Sequence, residues 1–240
     1  MNTNDLNQPK RRWMRFSLRT LLLLVLFVSI GLTWLKIKMN QARQRRAVVE
    51  AIEKAGGAVN YDYFAGRGPS DSSVPHWARE FFGDDFFFDV VAADSYHQST
   101  FDDNAAAYLK ELTKLKVIEL YGTQLTDAGF AHLEGLTNVE MLLLTDEQIT
   151  DAGLAHFRRL TKLKLLVLTG TQVTGAGLKH LEGLTNLEGL SLKDTKVSDA
   201  GLPHLAALTK LNGLDLSGTQ VTDAGVTTLQ AALPNCKIIH

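Results

Sequence analysis

From Leu112 onward, apolar residues recur at a fixed step. Leu-Thr-x-Leu or Leu-Thr-x-Val begins at Leu112, Leu136, Leu160, Leu184 and Leu208, so the period is 24 residues. Thr-Asp-Ala-Gly, or a close variant, begins in register at Thr126, Thr150, Thr174, Ser198 and Thr222. Within each unit the stretch around Ile118 and Leu120 alternates apolar and polar positions, which predicts a short strand. Leu125 and Phe130 then flank Thr126 as an N-cap and its staple, with Asp127 in the first turn near the positive end of a short helix. Each unit therefore predicts strand, turn and short helix. Five units occupy 112–231, a degenerate sixth precedes them from Phe101 to Leu109, and 232–240 closes the series. Units that cannot bury their apolar face alone must stack, with strands ~4.8 Å apart in a parallel sheet and helices on the other side. Helices are wider than strands, so the sheet side is expected to be concave.

A different pattern precedes the repeats. Sixteen uncharged residues, from Thr20 to Leu35, lie between Arg19 and Lys36. As a helix they span ~24 Å, and snorkelling of the flanking bases extends that toward a ~30 Å hydrocarbon core. Trp13 and Trp34 are 21 residues apart, or ~31 Å, which suits rings at two interfaces. The expectation is a transmembrane helix over 16–37, after a basic segment 1–15. A cleaved signal peptide is the alternative, but the run ends in Lys36-Ile37-Lys38 with no small-x-small site. A helix over 38–57 follows, with Ala47, Val48, Ala51, Ile52 and Ala55 on one face and Gly56-Gly57 as its stop. Residues 58–111 are expected to hold the cap and the degenerate repeat. Ala58–Tyr63 alternates like a strand, 65–75 is loop-like, and 76–88 carries Trp77, Phe81, Phe82, Phe86, Phe87 and Phe88 as a cap core.

Charge is split between these parts. Residues 1–46 hold ten Lys/Arg and one acid; removing these from 25 and 26 leaves 15 bases and 25 acids, so +9 at the front faces −10 behind. The acidic bulk argues against nucleic acid as a partner, because phosphate binding needs a basic face. Five bases precede the apolar run and five follow it by Arg46, so charge bias leaves orientation open. A short basic N-terminus that stays in the cytoplasm would put the repeats on the non-cytoplasmic side of a cell membrane.

Strand residues between the repeat leucines face the concave side. They are Val117, Glu119, Tyr121; Met141, Leu143, Thr145; Leu165, Val167, Thr169; Gly189, Ser191, Lys193; and Gly213, Asp215, Ser217. Val117, Met141, Leu143, Leu165 and Val167 form an apolar patch there, and the candidate partner site is the first nine of these positions. Such patches mark contacts: a protein or peptide partner, with coverage by 58–88 or a second copy as the alternatives.

Catalytic and metal chemistry find little footing. His132, His156, His180 and His204 share one repeat position, but helices ~8–10 Å apart cannot bring four rings to one ion. Thr, Asp and His recur coil after coil, as capping does and a catalytic triad does not. Asp84-Asp85 with Asp89 could pair carboxylates or hold a cation, though an exposed turn fits them. Cys236 takes a leucine position and is expected to be buried. No cofactor motif is present.

The L-x-x-L-x-L-x-x-T-x-V units resemble the leucine-rich-repeat family, which implies an α/β solenoid and a protein-binding role without enzymatic activity. The Thr-Asp-Ala-Gly-Leu helix start resembles the cysteine-containing branch known from F-box substrate adaptors, yet no F-box-like segment precedes the repeats. The layout of a basic RFSLRTLLLL lead, an AIEKAGG helix and repeats resembles membrane proteins of planctomycete-type bacteria. Together these imply a membrane-anchored recognition module, with a self-associating envelope scaffold as the alternative and a substrate adaptor as a third reading.

Overall fold

The computed structural model describes residues 18–61, 75–82, 84, 89–95, 100–145 and 148–240, the side chains of Thr20, Trp77, Phe81 and Phe82 aside. Two compact units divide at Gln41/Ala42.

The first unit is the apolar part of one helix, α1, which runs from Leu18 to Lys54. A single helix replaces the two expected over 16–37 and 38–57, because Lys38-Met-Asn-Gln41 contains no glycine, proline or cap that would stop it. Its side chains from Leu21 to Leu32 are exposed, and the segment is long and apolar enough to cross a membrane, with a mean hydropathy of 2.0 in its most apolar stretch. A signal sequence shares that length and composition. Trp34 is exposed, whereas Trp13 lies outside the described residues.

In the second unit, the end of α1 packs Ala42, Val49 and Ile52 into the interior. Val48 and Ala55 pack against it as expected, but Ala47 is exposed, so the inward face is rotated toward Val49. Gly56, at φ 86°, ends the helix in the left-handed region that a side chain would disfavour.

Among the described residues eight strands form one sheet in sequence order: β1 Gly57–Tyr61, β2 Val90–Ser95, β3 Val117–Tyr121, β4 Met141–Thr145, β5 Leu165–Val167, β6 Gly189–Ser191, β7 Gly213–Asp215 and β8 Lys237–Ile239. β1 pairs antiparallel with β2, and every later pair is parallel. Extended backbone thus reaches beyond the five repeats at both ends. The aromatic cap core expected from Trp77 and Phe81–Phe88 lies outside the described side chains.

The repeat leucines fill one continuous core. Leu142, Leu144, Leu166, Leu168 and Leu192 are all at 0% exposure. Phe130 and Phe157 meet edge to face, centroids 5.9 Å apart. Burying polar atoms among them requires partners. Thr171 and Thr195 meet this by donating Oγ1–H to the carbonyls of Leu168 and Leu192, at 2.8 and 2.6 Å.

Opposite the sheet, the expected helices are short and mixed. Asp127–Phe130 and Asp151–Leu154 are single α-turns that tighten into 3₁₀ helix; Gly175–Leu181 and Asp199–Leu205 are 3₁₀ throughout; only Asp223–Ala232 is a longer α-helix. A 24-residue coil must return to its starting strand, and 3₁₀ winding covers ~2.0 Å per residue against 1.5 Å for α, so it crosses the core with fewer residues.

The Thr-Asp-Ala-Gly motif binds one coil to the next. Thr174 N–H donates to Asp151 Oδ1 at 2.8 Å, and Thr174 Oγ1–H donates to Asp151 Oδ2 at 2.6 Å. The same hydroxyl accepts from Ala176 N–H at 3.2 Å, capping its own coil. Asp103, Asp127 and Asp199 hold Thr126, Thr150 and Thr222 in the same way. A Cβ on Gly177 would run into the Asp151 carboxylate, so the motif's glycine is the space the staple occupies. The staple fails once. Gly175 replaces the aspartate, Ser198 makes no side-chain cap bond, and Gly201 instead packs directly on the Gly175 backbone.

Candidate partner-binding surface

In-register parallel pairing turns the between-leucine residues into rows across strands. One row runs Ala92, Val117, Met141, Leu165, Gly189, Gly213. The adjacent row runs Asp94, Glu119, Leu143, Val167, Ser191, Asp215. Tyr121 pairs with Thr145 at the far ends of β3 and β4, and Thr169 follows β5, where its hydroxyl lies 3.2 Å from Ser191 Oγ. All nine candidate residues are half-buried, while their strand neighbours Ile118, Leu120, Leu142, Leu144, Leu166 and Leu168 are fully buried. The predicted alternation therefore places all nine on one sheet face, and their apolar members are contiguous.

That face has a charged rim and an acidic end. Below the first row, Lys116, Glu140, Lys164 and Glu188 alternate in sign along a shallow groove of about 610 Å³, whose floor includes Val117, Met141, Leu165 and Gly189. Lys164 donates to Glu140 Oε2 at 2.7 Å; that bond holds the Glu140 carboxyl below the ordinary carboxylate range and raises the Lys164 ammonium above its usual value. At the other end Tyr121 Oη–H donates to Glu119 Oε2 at 3.2 Å. Asp94 stands next to Glu119. Its Oδ2 accepts a long bond, 3.4 Å, from Asn60 Nδ2, and its Oδ1 is shielded from solvent with no hydrogen-bond partner. Burial, then the neighbouring Glu119 charge, raises the Asp94 pKa.

Asp94 was invisible to the 24-residue rule. Stepping back 24 from Glu119 lands on Ser95, but β2 pairs with β3 at a 25-residue offset, so Ser95 is buried and Asp94 faces out. The degenerate unit carries no motif that could have announced that shift.

The remaining candidate chemistry is accounted for locally. Arg79 holds Asp84 through two bonds of 2.6 and 2.9 Å, and Arg45 holds Asp89 at 2.8 Å; Asp85 lies outside the described residues. His204 Nδ1 pairs with Glu182 of the preceding coil at 2.6 Å, and His156 stands 3.8 Å from Glu134. His180 is lowered in pKa by burial and by Lys179 and Arg158. Among the described residues no group of three His, Cys, Asp or Glu converges. Cys236 is buried, which raises its thiol pKa.

A 24-residue leucine repeat wound as a parallel ladder, with short helices behind it, is the leucine-rich-repeat fold. No family model matches the chain, and no curated protein matches it. Solved structures similar to it are leucine-rich-repeat proteins. Internalin C2 of Listeria monocytogenes is 24% identical with a TM-score of 0.49, over 81% of this chain and 82% of its own. An internalin, InlF, from the same organism gives 24% and 0.49 over 55% of this chain; the chain spans 36% of that protein's length. The ectodomain of the receptor kinase SOBIR1 from Arabidopsis thaliana gives 16% and 0.44, over 74% and 94%.

Proposed function

We propose that this protein is a membrane-anchored recognition module, binding a protein or peptide partner on the concave sheet face rather than catalysing a reaction. The observation that carries this is the pair of apolar rows, Val117–Met141–Leu165 and Leu143–Val167, on an otherwise polar, half-exposed sheet. The fold demands leucine only at the inward positions, so apolar side chains on the outward ones serve something else. A rigid sheet of this kind offers shape and desolvation, the usual basis of a binding hot spot. Anchorage through the apolar part of α1 confines the module to a membrane and raises its effective concentration toward partners there. The repeats lie on the non-cytoplasmic side in this reading, which protease accessibility on intact cells tests.

The direct test is partner retention by the full chain, comparing wild type with Leu143→Asp plus Val167→Asp. Both side chains face outward, so folding survives, and loss of partner is expected. Retention by the folded variant contradicts the proposal. Light scattering over a concentration series separates the other occupant: self-association abolished by the same pair of substitutions would make the surface a contact between copies, as in an envelope scaffold.

A further inference from the structure

We propose that the partner segment received on this face carries a lysine or arginine, seated between Asp94 and Glu119, with its apolar side chains on Leu143 and Val167. This rests on the docking reading above and adds the chemistry of the segment.

Three observations carry it. Asp94 and Glu119 are in-register neighbours on β2 and β3, which puts two carboxylates on strands ~4.8 Å apart, an arrangement that costs stability unless a cation joins them. Among the described residues neither carboxylate has a basic partner, whereas Glu140, Asp84 and Asp89 all do. One Asp94 oxygen is shielded from water and accepts nothing, so its solvation has been given up without a replacement bond.

The two acids continue directly into the apolar row. From Asp94 the positions run Glu119, Leu143, Val167, so the row covers ~14 Å from first to last, matching about four residues of extended chain. A cation seated between the two acids therefore sits about 7–12 Å from the apolar groups it accompanies. At the opposite end the row continues with Ser191. Asp215 follows Ser191 in the same row, but as a single carboxylate without a second acid beside it, so the paired acids mark the Asp94 end. Asp94 Oδ2, whose bond from Asn60 is long, and the Glu119 oxygen not bonded to Tyr121 are the acceptors for its N–H groups. An acidic segment would add a third like charge beside the pair.

The test uses the full chain in lipid nanodiscs and a random twelve-residue peptide library displayed on phage. On the wild type, selected peptides are expected to pair Lys or Arg with two or more apolar residues within four positions. Asp94→Asn plus Glu119→Gln preserves shape and removes only charge; it should keep the apolar preference, lose the basic one, and weaken a selected peptide by about tenfold, as expected for lost charge-assisted hydrogen bonds. Leu143→Asp should abolish selection altogether. Apolar peptides without basic enrichment, displaced by Leu143→Asp, would overturn this inference and leave the docking surface standing. Selection indifferent to Leu143→Asp would overturn both. Enrichment of Asp or Glu would also overturn it.

Discussion

Replacing Asp151 by alanine removes the two bonds that tie Thr174 to the preceding coil, at 2.8 and 2.6 Å. Hydrogen bonds to a charged group contribute about 1.5–3 kcal/mol each when buried, but Asp151 and Thr174 are only half-buried, so about 2 kcal/mol in total is the reasonable figure. For a unit of this size that lowers Tm by about 4–8 °C. Gly177→Ala attacks the same staple from the other side. Its new Cβ falls on the Asp151 carboxylate, so the carboxylate must swing away and both bonds go; alanine's better helical propensity returns less than ~1 kcal/mol. Each single change therefore costs about 2 kcal/mol. The double variant should cost about as much as either single change, not the sum of both, because with the Asp151 carboxylate gone the added methyl meets only the Cα at position 151, at 3.2 Å. Thermal unfolding of the full chain in detergent, followed by circular dichroism for wild type, both singles and the double, reads the coupling. Strict additivity would refute the staple as the reason for the motif's aspartate and glycine.

Other consequences are checked more simply. Leu142→Ala empties a fully buried site and should cost about 2–5 kcal/mol, whereas Leu143→Ala on the outward face should cost under ~1 kcal/mol; equal losses would contradict the assigned alternation. Asp94 is raised in pKa by burial and by Glu119, so the folded state binds a proton more readily than the unfolded one, and stability is lost as pH rises through the folded pKa. Asp94→Asn should accordingly raise Tm at pH 7 and leave it unchanged at pH 3, measured by calorimetry at both. Asp199 is lowered by its bonds from Thr222; its contribution is present above the unfolded carboxylate pKa and disappears as pH falls through the folded one, so acid unfolding of Asp199→Asn should lack that step. Cys236 is buried with a raised thiol pKa and should react with Ellman's reagent only at the rate of unfolding.

The repeat and its strand–turn–helix order were legible because period and alternation repeat five times, so each copy confirms the others. The apolar patch followed from the same alternation, since the side chain two residues beyond an inward leucine shares its face and the one between does not. What escaped had physical reasons. The staple joins Asp151 to Thr174, 23 positions away, and a helix-start motif read within one coil accounts for the aspartate without that partner. Asp94 escaped because the degenerate unit slips by one residue, exchanging the faces of Ser95 and Asp94. The 3₁₀ winding of the third and fourth coils depends on how closely neighbouring coils pack, and at Gly175 and Gly201 it is backbone on backbone. Two helices were expected where α1 is one, because a change in composition at Lys36–Lys38 is not a change in backbone preference.

A photo-crosslinking residue placed at Leu143, compared with one at exposed Lys179 on the opposite side, tests most directly whether the sheet face is where a partner docks. With the full chain in the cells that express it, position 143 should give discrete intermolecular adducts that vanish when Val167→Asp is added, and position 179 should give none of them. Adducts formed equally from both positions, or from 179 alone, would contradict the assignment of the apolar rows as the recognition surface.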